Sequence, residues 1–128
     1  MTGAILVVDD ERDLAVTCER LLRRRGWSVL TTGTREGGLA ILGREPRPAL
    51  AIVDRQLPDG DGLDILRAAM ATGTPVIVVT GYGSAATRRL PLEEGAAGFL
   101  AKPFSSNDLL ELVHRIVGDP SPGHTLLT

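Results

Sequence analysis

Apolar residues fall along this chain in short unbroken runs separated by longer amphipathic stretches. Residues 4–8 (AILVV), 27–31 (WSVLT), 49–53 (ALAIV), 76–80 (VIVVT) and 98–101 (GFLA) are too short for helices, so they are expected as strands. Residues 11–25 place Leu14, Cys18, Leu21, Leu22 and Arg25 at helical spacing, with Gly26 as the stop. Thr34 can cap a second helix running to about Arg44, although Gly37, Gly38 and Gly43 weaken it. A third helix is expected over 62–71 and a fourth over 84–94, where Pro91 should kink or shorten it. Ser105 opens a fifth that ends near Val117, with Asp108 at the capping-box position that favours Glu or Gln.

Five strands alternating with five helices predict an α/β fold around a parallel sheet. Continuous apolar runs mark strands covered on both faces. Right-handed crossovers then give a doubly wound five-stranded sheet. The expected strand order is 2-1-3-4-5, with a ligand crevice at the carboxyl ends of strands 1 and 3, where the order reverses. Residues 1–118 read as one domain. Residues 119–128, with Pro120, Pro122 and Gly123, read as a linker or frayed tail leading to a missing effector domain.

Composition narrows the function classes. The 128 residues carry a net charge of −2, which predicts no general attraction to nucleic acid or anionic membrane. The aromatics Trp27, Tyr82, Phe99 and Phe104 are too scattered for base stacking. No apolar run approaches the roughly 20 residues of a membrane helix, and no signal peptide is visible. The single cysteine, Cys18, cannot form an internal disulfide and suits a reducing cytoplasm; it reads as a small buried hydrophobe. Arginines supply every other basic side chain, so the lone Lys102 stands out. His114 and His124 have no partners at metal or triad spacing and read as surface residues. Arg23, Arg24 and Arg25 read as complements to a helix C-terminus.

The strand ends carry the chemistry. Strand 1 runs into Asp9-Asp10-Glu11, strand 3 into Asp54, strand 4 into Thr80 and strand 5 into Lys102-Pro103. Taken singly, Asp9 or Asp10 reads equally well as a helix cap, Thr80 as a strand-end hydroxyl and Lys102 as a surface lysine. Together, Asp9, Asp10 and Asp54 converge on one crevice and repel one another, a conflict that a hard divalent cation removes. Oxygen-only ligands suit Mg²⁺ or Mn²⁺ better than zinc. A cation, the Thr80 hydroxyl and the Lys102 ammonium form a phosphoryl site, with Asp54 as nucleophile. A cis or otherwise tight Lys102-Pro103 peptide would aim the ammonium inward. The acidic turn 59–62 lacks calcium-loop spacing and reads as the loop entering the third helix.

The segments VVDDE at 7–11, IVDRQLPDGDG at 52–62, VVTGYG at 78–83 and GFLAKPF at 98–104 resemble the receiver domains of two-component response regulators. The resemblance spans about residues 4–118 and implies the flavodoxin-like receiver fold. It implies that Asp9 and Asp10 organise Mg²⁺, that Asp54 is the phosphoacceptor, and that Gln56 gives a backbone carbonyl to the metal. It also implies that Thr80 is the switch hydroxyl, Lys102 the phosphate-binding lysine, and Phe99 the aromatic that changes rotamer. Phe99 stands where many relatives carry Tyr, and Leu57 where Met is frequent. Gln56 and Tyr82 would tune water access to the phosphoryl group. The donor would be a sensor histidine kinase or phosphotransfer protein. A homodimer through helix 4, strand 5 and helix 5 is expected, with Pro91 falling in that interface. No direct nucleic-acid or membrane contact by this domain is expected.

Two other classes compete. A Mg²⁺-dependent aspartyl-phosphate phosphatase of the haloacid-dehalogenase type would place its nucleophile on strand 1 in a DxD pattern and carry a cap insertion. A binding module, either a mononucleotide binder or a docking domain that needs no phosphorylation, would favour a Gly-rich loop after strand 1 or lack a key residue. The expected role is a signalling receiver that catalyses only its own phosphoryl transfer and autodephosphorylation.

Overall fold

The computed structural model describes residues 3–81 and 85–120, with side chains described outside 85–88. The parallel sheet is built from β1 (Ile5–Val8), β2 (Val29–Thr32), β3 (Leu50–Asp54), β4 (Val76–Thr80) and β5 (Gly98–Ala101). The helices are α1 (Arg12–Arg24), α2 (Arg35–Leu42), α3 (Leu63–Thr72), α4 (Ala85–Glu93) and α5 (Ser106–Val117). The strand order is β2-β1-β3-β4-β5, as expected from the alternation.

The period-two geometry of a strand splits each apolar run between two cores. Ile5, Val7, Val29, Ile52, Ile77, Val79 and Leu100 face one way, against Ala15, Cys18 and Leu22 of α1 and Leu109 and Val113 of α5. Leu6, Val8, Ala51, Val53, Val76 and Val78 face the other, against Leu42 of α2 and Leu63, Ile65, Leu66 and Ala69 of α3. Every residue of β1, β3 and β4 is buried, which explains why these runs show no polar alternation.

Local chemistry fixes the helix ends. Thr34 accepts a hydrogen bond from the Gly37 N–H at 3.0 Å. Asp59, far along the chain, accepts from the N–H groups of Arg35 at 2.7 Å and Glu36 at 3.0 Å. Two caps on one eight-residue helix offset the poor propensity of Gly37 and Gly38. Ser105 and Asp108 form both halves of a capping box at α5. Gly73 ends α3 in the left-handed conformation.

Three boundaries differ from the sequence pattern. The second strand begins at Val29 rather than Trp27, because the Trp27 N–H still donates to Leu22 O of α1. The 59–62 turn is more ordered than a plain loop: Gly60–Asp61 pairs antiparallel with Gln56–Leu57 in a two-residue ribbon. Helix α4 runs through Pro91 and ends two residues later, at Glu93. Ser84, the expected start of that helix, lies outside the described residues, as do Pro122, Gly123 and His124.

Candidate functional site

Parallel register brings the polar strand ends to one edge. Val8 pairs with Val53, so Asp9 follows β1 directly beside Asp54, the last residue of β3. Thr80 closes β4 and pairs with Ala101, which sets Lys102 at the same edge. The Lys102 N–H donates to Thr80 O at 2.8 Å, and the Lys102-Pro103 peptide is cis.

The lysine reaches back across the crevice. Lys102 Nζ lies 2.7 Å from Asp54 Oδ2 and 3.2 Å from Asp9 Oδ2, and it also contacts Glu11 Oε1. The Asp9 and Asp54 side chains are each 6% exposed, Lys102 is 15% exposed and Glu11 61%. Backbone donors complete the carboxylates: Gln56 N–H to Asp54 Oδ1 at 2.9 Å, and Glu11 N–H to Asp9 Oδ1 at 2.8 Å.

Burial, with the nearby Asp54 charge, raises the Asp9 carboxyl above its usual range, although the Glu11 N–H and Lys102 pull it down. Burial alone would lower the Lys102 ammonium. The hydrogen bonds to Asp54 and Glu11, with the charges of Asp9 and Asp54, outweigh it and raise its pKa. The ammonium is therefore firmly charged.

One carboxylate oxygen from each of Asp9, Glu11 and Asp54 lies within 4.8 Å of the others. Three carboxylates around one ammonium leave an excess of two negative charges. An all-oxygen donor set with that excess fits a hard divalent cation. A groove of about 530 Å³, lined by Asp9, Asp10, Arg12, Val16 and Thr32, opens beside Asp9 but is not lined by Glu11, Asp54 or Lys102.

The structure thus brings Asp9, Asp54, Thr80 and Lys102 to one edge, but it leaves Asp10 exposed and outside the three converging carboxylates. Glu11, absent from the expected ligands, lies with Asp9 and Asp54. No spacing rule singles it out, because strand alternation ends with β1 and the chain bends at Asp10. Glu11 enters from the N-cap of α1 (φ −79°, ψ 100°), its N–H closing that bend onto Asp9 Oδ1. The Gln56 side of the ribbon lies beside Asp54 through its N–H. Thr80 is buried. Phe99 is half-buried against the α2–α3 core, and Leu57 is buried within it. Tyr82 lies outside the described residues.

Other singled-out residues fall outside the site. Cys18 packs in the α1–α5 core, where burial and then the Asp9 charge push its thiol to about 11. His114 is exposed, with Nδ1 3.3 Å from Asp119. Arg23 pairs with Glu19 at 2.9 Å and donates to Val29 O.

Comparison with known proteins points the same way. A family model described as the response regulator receiver domain matches residues 5–114. The transcriptional regulatory protein CpxR of Klebsiella pneumoniae is 37% identical over 114 residues, covering 88% of this chain and 48% of CpxR. The photosynthetic apparatus regulatory protein RegA of Rhodovulum sulfidophilum is 34% identical over 108 residues, 83% of this chain and 58% of RegA. The chain spans about half the length of these curated relatives. A CheY-like response regulator receiver domain protein from Methanospirillum hungatei superposes with a TM-score of 0.80 at 32% identity, covering 90% of this chain and 93% of the other. One from Clostridium thermocellum gives 0.81 at 31% identity, covering 98% and 99%.

Proposed function

Because this chain belongs to the response regulator receiver family, a class of phosphorylation-activated signalling domains, we propose that Asp54 is the residue that takes up the phosphoryl group. The contact of Lys102 Nζ with Asp54 Oδ2 at 2.7 Å, at a buried carboxylate beside Asp9, carries this assignment. In the transfer a carboxylate oxygen of Asp54 attacks phosphorus. The bond to the phosphohistidine nitrogen of a sensor kinase or phosphotransfer protein breaks, and its electron pair stays on the imidazole.

Asp9, Glu11 and Asp54 are positioned to hold a metal, which we assign as Mg²⁺, with Mn²⁺ as a substitute. Asp10 and the Gln56 carbonyl complete the expected ligand set. When bound, the cation neutralises charge on the phosphoryl oxygens. Lys102 supplies a further fixed positive charge from the protein, and the Thr80 hydroxyl donates to a phosphoryl oxygen. Inward rotation of Phe99 then changes the face of α4, β5 and α5, through which two copies pair. Hydrolysis of the acyl phosphate by water restores Asp54, with Gln56 and Tyr82 tuning access. In this reading residues 1–118 are the receiver and 119–128 a linker to an effector. The domain acts in the cytoplasm and does not itself touch nucleic acid. No helix among the described residues is long and apolar enough to cross a membrane.

Incubation with Mg²⁺ and a small acyl phosphate should add one phosphoryl group to the intact mass. The Asp54→Asn variant should stay unlabelled; equal labelling of both proteins refutes the acceptor assignment.

A further inference from the structure

Lys102 faces three carboxylates, and only one of them lies at the rim. Asp9 and Asp54 are buried, whereas most of the Glu11 side chain is in solvent. Glu11 sits at the N-cap of α1, yet its side chain makes no capping hydrogen bond. It reaches instead to an ammonium 91 residues away. Its backbone is fixed by the bond from its N–H to Asp9 Oδ1.

We propose that Glu11 is a positioning residue for Lys102, holding the ammonium between the buried carboxylates and the rim until a phosphoryl oxygen replaces it. The proposal rests on Asp54 being the acceptor. Its basis is the competition for one cation. Asp54 Oδ1 already accepts the Gln56 N–H, and Lys102 donates to Oδ2. A lysine drawn wholly onto Asp54 would withdraw electron density from the carboxylate that must attack. Glu11 supplies the counter-pull, toward the open side from which a donor must approach. An exposed ion pair is weak and easily exchanged, so the contact with Glu11 is the one that can be given up as the phosphoryl group arrives.

The chain's single lysine makes this directly measurable, because lysine labelled with ¹³C and ¹⁵N gives one side-chain ammonium signal. In the metal-free, unphosphorylated protein, Glu11→Gln should shift the Lys102 Cε and Nζ resonances. With Mg²⁺ and a small acyl phosphate, the same variant should lower the rate constant at saturating donor by roughly tenfold. That is below the ~100-fold loss that a 1 Å misplacement can cause. Its half-saturating donor concentration should stay level or fall, since a negative charge has left the entrance. Glu11→Asp keeps that charge but loses reach, so it should resemble Glu11→Gln in both measurements.

A Glu11→Asp variant that matches the wild type would overturn the proposal in favour of simple rim charge. So would weakened Mg²⁺ binding by Glu11→Gln with unmoved lysine resonances, which would make Glu11 a metal ligand alone. Wild-type labelling with an unchanged Glu11→Gln rate overturns this proposal and leaves the acceptor assignment standing. Failure of the wild type to take up any phosphoryl group overturns both.

Discussion

Replacing Lys102 by Met keeps most of the aliphatic stem and deletes the charge. Its neighbours Asp9 and Asp54 then face each other at 6% side-chain exposure without a cation. At an effective dielectric of about 20, the contacts at 2.7 and 3.2 Å correspond to roughly 6 and 5 kcal/mol of Coulomb attraction. Desolvating the ammonium takes back several kcal/mol, so the sum of the two contacts is not a net stability. Breaking a buried pair from one side costs about 3–5 kcal/mol. Here the loss should fall near the lower end, about 3 kcal/mol, because the Lys102 side chain is 15% exposed and water can reach the vacated position. That is a large share of the roughly 5–15 kcal/mol of an ordinary domain.

Urea unfolding in the presence of a chelator, followed by the fluorescence of the buried Trp27, reads this loss directly. The pH dependence has a definite sign. An acid whose pKa is raised by folding stabilises the fold below its unfolded value, about 3.8, and that contribution is lost as pH rises through the folded pKa. The Lys102 charge holds the Asp9 carboxyl down, so its removal raises that carboxyl further, and the deficit of Lys102→Met should be full at pH 7 and shrink toward pH 4. Adding Asp54→Asn should recover part of it, since one of the two opposed charges is gone. Saturating Mg²⁺ at about 100 times its Kd should add back up to about 2.7 kcal/mol. Equal urea midpoints for wild type and Lys102→Met at pH 7 in chelator would refute the claim that the lysine compensates buried charge.

Three further outcomes are expected. Gly38→Ala gains about 1 kcal/mol of helix propensity, but its new methyl would stand 2.7 Å from Ile65 Cδ1 and 3.1 Å from the stiff Val8 Cγ2. Overpacking of about 1–3 kcal/mol should win, so a raised melting temperature would contradict the α2–α3 packing. The N–H groups of Glu36 and Arg35 hold the Asp59 carboxyl below its usual range, so its stabilisation is full above about pH 3.8 and is lost as pH falls through the lower folded value. Asp59→Ala should therefore lower stability at pH 6 and converge on the wild type in acid; a constant gap would contradict the cap. Cys18, buried and with its thiol pushed to about 11, should resist a thiol reagent at pH 8 until the protein unfolds, and rapid labelling of the native state would place it elsewhere.

Much of the fold was legible because the strand runs are apolar on both faces and short. Length and turn residues separate such runs from helices without any alternation. The order of the sheet follows from crossover handedness and the doubly wound arrangement, and it alone places Asp9, Asp54, Thr80 and Lys102 on one edge. The differences lie where tertiary contacts override local pattern. Trp27 stays with α1 through one hydrogen bond to Leu22 O, and the 56–61 ribbon is too short for any periodicity to register. Asp59 caps a helix that precedes it in the chain, a partnership that no window of neighbouring residues contains.

Glu11 is the most instructive omission. The acidic run after strand 1 invites a pairing of adjacent residues, Asp9 with Asp10. The chain instead bends at Asp10, and the Glu11 N–H closes that bend onto Asp9 Oδ1. This turn, not strand alternation, carries the Glu11 carboxylate to Asp9 and Asp54. The charge balance of the crevice follows from that arrangement. Two buried carboxylates and one at the rim share a single lysine, so the resting site is already arranged around a positive charge that can be redistributed. Whether that redistribution follows Glu11 or only the buried pair is what the single lysine resonance reads.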